Sequence, residues 1–533
     1  MPGATGWSPG ATTRLVVASG GLVAVDGDRA VSLTSRRPPP HVAKGTAMPS
    51  LLAPLSPGKP ADRRRRPGPE PRRLRRPDGG PVSPRREIAS IAVPVSLEFV
   101  FMLVLNFVNQ VVVGALGATA IAAVGFANSL VFILVLTLGA LGASVSILVA
   151  RAHGSGRRHE MNASVTAALL VAGLLAAVIS APAFLSAGSL LRLTGASQTV
   201  SAVGTGYLRL MTLSLVPTVL SAILSGVMRS TGHARSPMVA TLVTVLLNTS
   251  LGYCLVFGVG PLPELGVVGA GWATLATAVL KAVILFAQVL VQHRLVRWEL
   301  PASRPEWRSV LVPLFVLAVP LGITELFWTT GTFLYNVVFQ RLGDDALAAA
   351  QIAATLEGVF IVGSIGLMSA TTALVGRAVG RGEATEAMAW VRRVKKAGLH
   401  TGVGFGVLFG CSALALGLLY GNAGPGVRQA AALGIVVNAL FQVVKVRNMV
   451  LGAGVLPSGD DVRGVIMGDV AGAFAVGLPL AVLLGLHTPL GVAGVFLARV
   501  VEEVAKLAIF SWRARRLDWH RLAQPREPLP VPG

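Results

Sequence analysis

The stretch that decides the fold of this chain is LGATAIAAVGFANSLVF (Leu116 to Phe132), because it returns 226 positions later as LGDDALAAAQIAATLEG (Leu342 to Gly358). Its sequel SVSILVARAHGSG (Ser144 to Gly156) returns with the same shift as ATTALVGRAVGRG (Ala370 to Gly382). Matches that keep one spacing indicate that the chain contains two copies of one structural unit. Internal repeats of this kind are common among membrane transporters.

The composition around the repeat is that of a membrane protein. Hydrophobic residues make up 53% of the chain, charged residues only 13%, and the mean hydropathy is +0.68. A helix needs about 20 predominantly apolar residues to cross a bilayer. We therefore predict an all-α, polytopic membrane protein with twelve transmembrane helices, over residues 88–116, 121–150, 163–187, 207–228, 238–258, 267–292, 310–340, 346–376, 397–420, 429–456, 464–486 and 490–512.

Lysine and arginine predict the orientation of these helices. Five alternate loops hold 16 of them, whereas the other loops hold only Arg192, Arg341 and Arg428. Because basic loops stay in the cytoplasm, the sequence predicts a multi-pass plasma-membrane protein with both termini cytoplasmic. Each copy of the repeat has six spans, so both halves enter the membrane in the same direction, as two pseudo-symmetric lobes. Parallel repeats place a substrate site near the midplane between the lobes.

The predicted domains follow from this topology. Residues 1–86 contain RRRRPGPEPRRLRRP (Arg63 to Pro77), a composition typical of disorder. The tail either binds anionic lipid or is absent, if translation begins downstream at a residue such as Met48. The segment Arg14 to Val25 is too short for a span. The domains are a disordered Arg/Pro-rich tail (1–86), an N-lobe (87–293), a cytoplasmic linker (294–309), a C-lobe (310–512) and a cytoplasmic C-tail (513–533).

Two spans carry polar residues on one face. In the first span Glu98, Asn106 and Asn109 fall within about 80° of arc. Buried polar groups in a bilayer are costly and usually face a bundle interior or a watery cavity. We therefore predict that this face lines the substrate pathway.

The seventh span repeats the arrangement. Glu325, Trp328, Thr332 and Asn336 lie within about 100° of one face. In both spans an Asn follows the Glu by eleven residues, which favours a cavity that both lobes line with a carboxylate and amides. The alternative for the amides is hydrogen bonding between helices, which is common in membranes.

Further charged residues lie in later spans. Glu357 is eleven residues into the eighth span and Lys445 lies in the tenth. Alone, a buried Glu357 would exchange protons; paired with Lys445, it would stay charged until a cation or proton displaced the lysine. The pairs Arg499/Glu503 and Glu502/Lys506 have i,i+4 spacing, and we interpret them as structural pairs near the cytoplasmic end of the twelfth span.

Several classes of protein lack support. The sequence has no GxxxxGK[ST] motif, so an ATP-driven pump is not indicated. No His, Cys and carboxylate cluster has metal-ligand spacing. We predict no enzymatic activity and no cofactor beyond a coupling ion. The net charge of +22 lies in the tail and short loops, which does not favour nucleic-acid binding.

The chain resembles the multidrug and toxic compound extrusion (MATE) family of secondary transporters. The similarity covers essentially everything from Glu87 to about Trp519, and the motifs that carry it occur in order along the chain. The resemblance implies a monomer in the inner membrane that exports cationic or amphipathic compounds in exchange for protons or sodium ions. Many relatives have Asp where this chain has Asn109, and an acid near Gly252. The motifs are LGATAIAAVGFA, SPMVATLVTVLLNTSLGYCLVFG, PELGVVGAGWAT, LAAAQIAATLEG and GDVAGAFAVGLPLAVLLG.

We therefore expect a secondary active exporter whose two lobes alternate access, with small-molecule substrate and lipid as its partners. The amide of Asn109 cannot take up a proton, so the coupling ion falls to Glu98, Glu325 or Glu357, of which we favour Glu325. The alternative is a flippase for lipid-linked oligosaccharide from the same superfamily, which should have a more cationic cavity. A non-transporting membrane scaffold is a second alternative, and it leaves both polar faces unexplained.

Overall fold

The computed structural model describes residues 14–18, 21–25, 83–193, 197–421 and 423–524. From residue 83 onward the described chain is helical, with short connecting turns. We number its helical spans 1 to 12. They are Pro84–Gly114, Ala118–Gly154, Arg158–Leu185, Gln198–Ser230, Arg235–Phe257, Val267–Gln292, Arg304–Arg341, Asp344–Gly380, Ala384–Leu419, the pair Pro425–Leu440 and Gln442–Ser458, Val462–Leu486, and Gly491–Arg515. Two short helices, Ala187–Leu193 and Trp519–Leu522, lie outside the spans.

The prediction of a helical, polytopic membrane protein is confirmed, although ten to eleven of the twelve predicted spans, among the described residues, are long and apolar enough to cross a membrane. Within the described residues, ten helices are by themselves long and apolar enough to cross a membrane. Span 10 is broken by a bend of 56° between Leu440 and Gln442. Span 12 is 25 residues long and is not among the helices that are apolar enough to cross a membrane, because it carries six charged residues.

Spans 4 and 7 start nine and six residues earlier than the hydropathy pattern predicts, and each has a polar cap immediately before its first residue. Ser197 accepts a hydrogen bond from the backbone N–H of Val200 at the start of span 4. Ser303 accepts one from Glu306 at the start of span 7. Such caps satisfy backbone donors that the first helical turn leaves free. The connection between the lobes is therefore residues 293–303, shorter than the predicted linker 294–309.

The repeat seen in the sequence is also present in the backbone. Gly117 and Gly343, one repeat apart, begin the second helix of each lobe with φ of 95° and 120°. Gly156 and Gly382 occupy the next equivalent turn with φ of 72° and 78°. Side chains rarely tolerate positive φ, so glycine at these four positions allows both lobes to make the same turns.

The two lobes share a core at one end of the bundle. We call this the basic end: it carries the start of span 1, the end of span 12 and the turns at 155–157, 231–234, 293–303, 381–383 and 459–461. In this core Ile91 and Val95 of span 1 join Leu374 of span 8 and Val450 of span 10, all at most 2% exposed. Apolar burial between the lobes therefore holds the basic end closed.

Repeat-related residues of spans 2 and 8 complete this closure, and we call Arg151, Gly154, Arg377 and Gly380 the basic-end gate. A Cβ atom added to Gly154 would overlap the carbonyl oxygen of Arg377, and one added to Gly380 would overlap that of Arg151. The two helices thus touch backbone to backbone. Arg151 also donates to the Asp460 carboxylate at 2.7 Å and to the carbonyl of Ser458 at 2.6 Å.

Most of the predicted disordered tail, residues 1–86, lies outside the described residues, as do residues 525–533 of the C-tail. Within the tail, strand Arg14–Ala18 pairs antiparallel with strand Gly21–Val25, with Arg14 opposite Val25. At about 3.3 Å per residue, neither strand approaches the roughly 30 Å of a bilayer core. The last residues of the tail, from Pro84, form the first turn of span 1.

Deleting residues 1–82 is expected to leave folding and transport unchanged, because span 1 starts at Pro84. Membrane expression, thermal stability and efflux should match those of the full chain. A longer deletion, to residue 91, is the matched control: it removes Ile88 and Ile91 from the core and should destabilise the protein by several kcal/mol. Failure of the shorter deletion to insert would contradict the prediction.

Candidate functional site

Five spans of the C-lobe bring charged side chains together in the interior of the lobe. We call them the C-lobe charge cluster, which holds five carboxylates and three cationic groups. Isolated charges at this depth are costly, so clusters of them usually mark a functional pathway. The members are Glu325, Glu357, Lys445, Asp469, Arg499, Glu502, Glu503 and Lys506.

Lys506 is the hub of one half of the cluster. Its Nζ lies 2.5 Å from Glu502 Oε1, 3.8 Å from Asp469 Oδ1 and 4.0 Å from Glu503 Oε1. The hydroxyl of Tyr335 in span 7 donates to Glu502 Oε2 at 2.5 Å. One ammonium therefore faces three carboxylates, which leaves this half of the cluster negative.

Lys445 is the hub of the other half. Its Nζ donates to Glu357 Oε1 at 2.5 Å and to Asn438 Oδ1 at 2.7 Å. Asn448, one turn further along span 10, donates to Glu503 Oε2 at 2.7 Å. The predicted alternative of a Glu357–Lys445 pair is thus what the structure contains.

A π-helical segment of span 11, Ala471–Gly477, makes room for these side chains. A Cβ at Gly472 would collide with the Lys506 stem, and one at Gly477 with Tyr335 and Glu502. π-helical turns are rare and frequent at functional sites. The local widening of span 11 therefore allows three spans to approach around Lys506.

Glu325 lies just past the middle of span 7, close enough to Asp469 of span 11 for the two carboxylates to repel each other. It is half-buried, and among the described residues its carboxylate is in no ion pair or hydrogen bond. A partly buried carboxylate beside another acid is stabilised when a proton or a cation neutralises it.

Glu98 has different surroundings in the N-lobe. It is 2% exposed, and its carboxylate pairs with Arg229 Nη2 at 2.6 Å and Lys281 Nζ at 3.4 Å. Thr241 also donates to it at 3.2 Å. Two cations around one carboxylate leave a local charge of +1. Glu98 and Glu325 thus occupy similar positions in the sequence pattern but differ in their surroundings. Glu98 is surrounded by cations, whereas Glu325 lies beside another carboxylate.

The other predicted residues lie along spans 1 and 7. Asn106 is exposed and Asn109 half-buried, and neither side chain forms a hydrogen bond with another described residue. Trp328 is 50% exposed. Thr332 donates to the carbonyl of Trp328 at 3.0 Å, and Asn336 is half-buried. These side chains lie in the halves of spans 1 and 7 that are farther from the basic end.

Several members of the cluster were missed or misplaced by sequence reasoning. The Glu502/Lys506 pair was predicted, but as a structural pair near the end of its span. Glu502 is in fact eleven residues from Gly491, in the middle of a 25-residue helix. Asp469 was not predicted, although a carboxylate seven residues inside span 11 was a usable signal. No group of three His, Cys, Asp or Glu in the described part of the chain is arranged to hold a metal ion.

A family model independently matches both lobes. The MatE model aligns with residues 94–254 and 320–483, which start one repeat apart and together cover more than half of the chain. The chain belongs to the MatE family. The resemblance noted in the motifs is thereby confirmed, and the charge cluster lies in the second copy of a MATE efflux transporter.

Individual MATE proteins are similar over nearly their whole length. The probable multidrug resistance protein NorM of Rhizobium meliloti (strain 1021) is 28% identical over 426 residues, 78% of this chain and 90% of that protein. Multidrug resistance protein MdtK of Pectobacterium atrosepticum is 25% identical over 447 residues, 81% and 95% of the two chains. A solved multidrug resistance MATE transporter in an outward-facing conformation matches with a TM-score of 0.75 and 21% identity, over 83% of this chain and 98% of that one.

Proposed function

We propose that this MATE transporter exports cationic or amphipathic small molecules in exchange for protons or sodium ions. Its similarity to NorM and MdtK, both called multidrug resistance proteins, supports a drug-exporting role.

The observation that carries the proposal is the negative charge of the C-lobe cluster beside Glu325. Five carboxylates against three cationic groups leave a formal charge of −2 in the lobe interior. Glu325 is the member without a cationic partner among the described residues. A cationic cargo and a coupling ion can therefore compete for the same carboxylate, which is the simplest basis for exchange.

The N-lobe contributes less to cation binding. Glu98 is already neutralised by Arg229 and Lys281, and Asn109 is an amide. Trp328, half exposed on the face of Glu325, offers an aromatic ring for cation–π contact. These features favour a cation site on the C-lobe side of the cleft.

The proposed transport cycle includes a state in which the basic end is closed. The arginine and lysine content of that end supports a cytoplasmic location for it. In the proposed cycle, a closed basic end on the cytoplasmic side corresponds to an outward-facing state. Cargo and coupling ion drive the exchange because each stabilises one lobe arrangement more than the other.

A transport assay tests the proposed cargo and coupling. Proteoliposomes should move a cationic dye when a pH or sodium gradient is imposed, and the gradient that drives uptake identifies the coupling ion. A dye of similar size with two or more negative charges should move at the rate of liposomes without protein, because the C-lobe cluster repels it. The measurement is fluorescence of each dye against time.

Two results would overturn the proposal. Transport of the cationic dye without either gradient would exclude ion coupling. Faster transport of the multiply anionic dye would favour the flippase alternative, in which the cations of Arg229 and Lys281 would be the relevant charges.

A further inference from the structure

A pocket at the basic end lies outside the proposed transport pathway. It has a volume of about 550 Å³ and lies between the start of span 3 and the connection between the lobes. Arg158, Arg294 and Arg297 line it and are exposed, and among the described residues none of the three is in an ion pair. Three guanidinium groups against the one carboxylate of Glu299 give the lining of the pocket an excess of positive charge, which is suited to an anion.

The carboxylate of the same pocket is already occupied. Glu299 lies 3.0 Å from His159 Nδ1 and accepts a hydrogen bond from Asn162 at 2.9 Å. The other nitrogen of His159 is 3.0 Å from Glu306, which is buried. These bonds connect the segment between the lobes to span 3, and they engage Glu299 and Glu306 with partners other than the three arginines. Arg294 has a positive φ of 46°, a strained conformation for an arginine and one often found at functional sites.

An apolar groove of about 490 Å³ lies beside this pocket. Trp298, which lines the groove, stands in the chain between two residues that line the pocket, Arg297 and Glu299. The groove is formed by Leu170 of span 3, by span 4, and by Val283 and Phe286 of span 6. Its side chains are apolar and several are more than 40% exposed.

The two cavities have the spacing of a lipid headgroup and its acyl chain. Asn162 in the pocket and Leu169 in the groove are seven residues apart on span 3, about 10 Å along the helix axis. The headgroup layer of a bilayer is roughly 5–8 Å thick on each side. A molecule with a phosphate in the pocket would therefore place its hydrocarbon chain in the groove.

We propose that the pocket and the groove together bind one anionic phospholipid of the leaflet at the basic end. The phosphate interacts with Arg158, Arg294 and Arg297, and an acyl chain packs along Trp298, Phe286 and Val283. Because the pocket is built on the connection between the lobes, the bound lipid holds that connection against span 3.

Native mass spectrometry of the full-length protein tests the proposal, with phosphatidylglycerol and phosphatidylcholine that have identical acyl chains. Phosphatidylglycerol should be retained more tightly. The double variant R294Q/R297Q should weaken it by roughly 25-fold, about five-fold for each arginine near an anionic lipid. R304Q/R308Q is the matched control, since it removes the same charge from exposed positions that do not line the pocket, and it should bind like the parent.

Two further arms separate a lipid from a free phosphate. Ala287→Trp fills the groove without changing charge and should also release phosphatidylglycerol, and inorganic phosphate at equal concentration should not displace it. Equal retention of the two lipids, equal binding by the double variant and its control, or displacement by inorganic phosphate would overturn the proposal.

Discussion

Glu325→Gln is expected to reduce gradient-driven efflux to the level of liposomes without protein, while membrane expression stays at the parent level. The amide cannot take up a proton, and it binds a cation far less strongly than a carboxylate. Folding should not suffer, because Glu325 is in no ion pair with a described residue and the substitution removes its repulsion from Asp469. Efflux is measured in proteoliposomes under the gradient that drives the parent protein.

Three further variants serve as controls for this prediction. Glu264→Gln removes the same charge from an exposed loop and should transport normally. Asn109→Asp should be tolerated if coupling lies in the C-lobe. Glu98→Gln should instead lower stability by about 3–5 kcal/mol, because it leaves Arg229 and Lys281 without their buried partner. Normal transport by Glu325→Gln together with a folded but inactive Glu98→Gln would place coupling in the N-lobe.

The sequence was sufficient for the fold because the fold depends on local patterns. Apolar length predicted each span, and the 226-residue spacing predicted that Arg151 and Arg377 would be equivalent. The sequence could not predict that Arg151 and Arg377 lie where spans 2 and 8 contact each other across the lobes. That contact depends on how the two lobes pack at the basic end, which a repeat pattern does not encode.

The candidate site was predictable only in part, because helical periodicity reports the face of one helix and not its neighbours. Glu98 and Glu325 occupy similar places in their spans, yet Glu98 meets Arg229 and Lys281 from positions 131 and 183 residues away. The Glu357–Lys445 pair could be proposed as an alternative because both are charged residues within apolar spans. The π-helical segment of span 11 has no signal in a run of Ala, Gly, Phe and Val, so the approach of Lys506 could not be foreseen.

The second prediction concerns Gly154 and Gly380, the two glycines of the basic-end gate. Gly154→Ala and Gly380→Ala are each expected to prevent closure, because the added methyl group overlaps a backbone carbonyl of the facing helix. Backbone cannot move aside as a flexible side chain can, and overpacking costs about 1–3 kcal/mol. This shifts the equilibrium between closed and open states by roughly 5- to 150-fold. The double variant, with both contacts blocked, should lose efflux, since an exporter that cannot close this end cannot release cargo on the other side alone.

A distance measurement detects this shift between closed and open states and distinguishes it from misfolding. Spin labels at positions 155 and 383, in a background without Cys254 and Cys411, report the separation of the two turns at the basic end. In the parent protein, part of the distance distribution should lie at short distance, and both alanine variants should lose that part. The thermal stability of the variants should change little. Gly139→Ala and Gly358→Ala are the matched controls on the same two spans, where an added Cβ meets nothing within 4 Å. Because these controls carry the same change in helix propensity, a short distance kept by Gly154→Ala and Gly380→Ala would show that close backbone contact is not what shuts the gate.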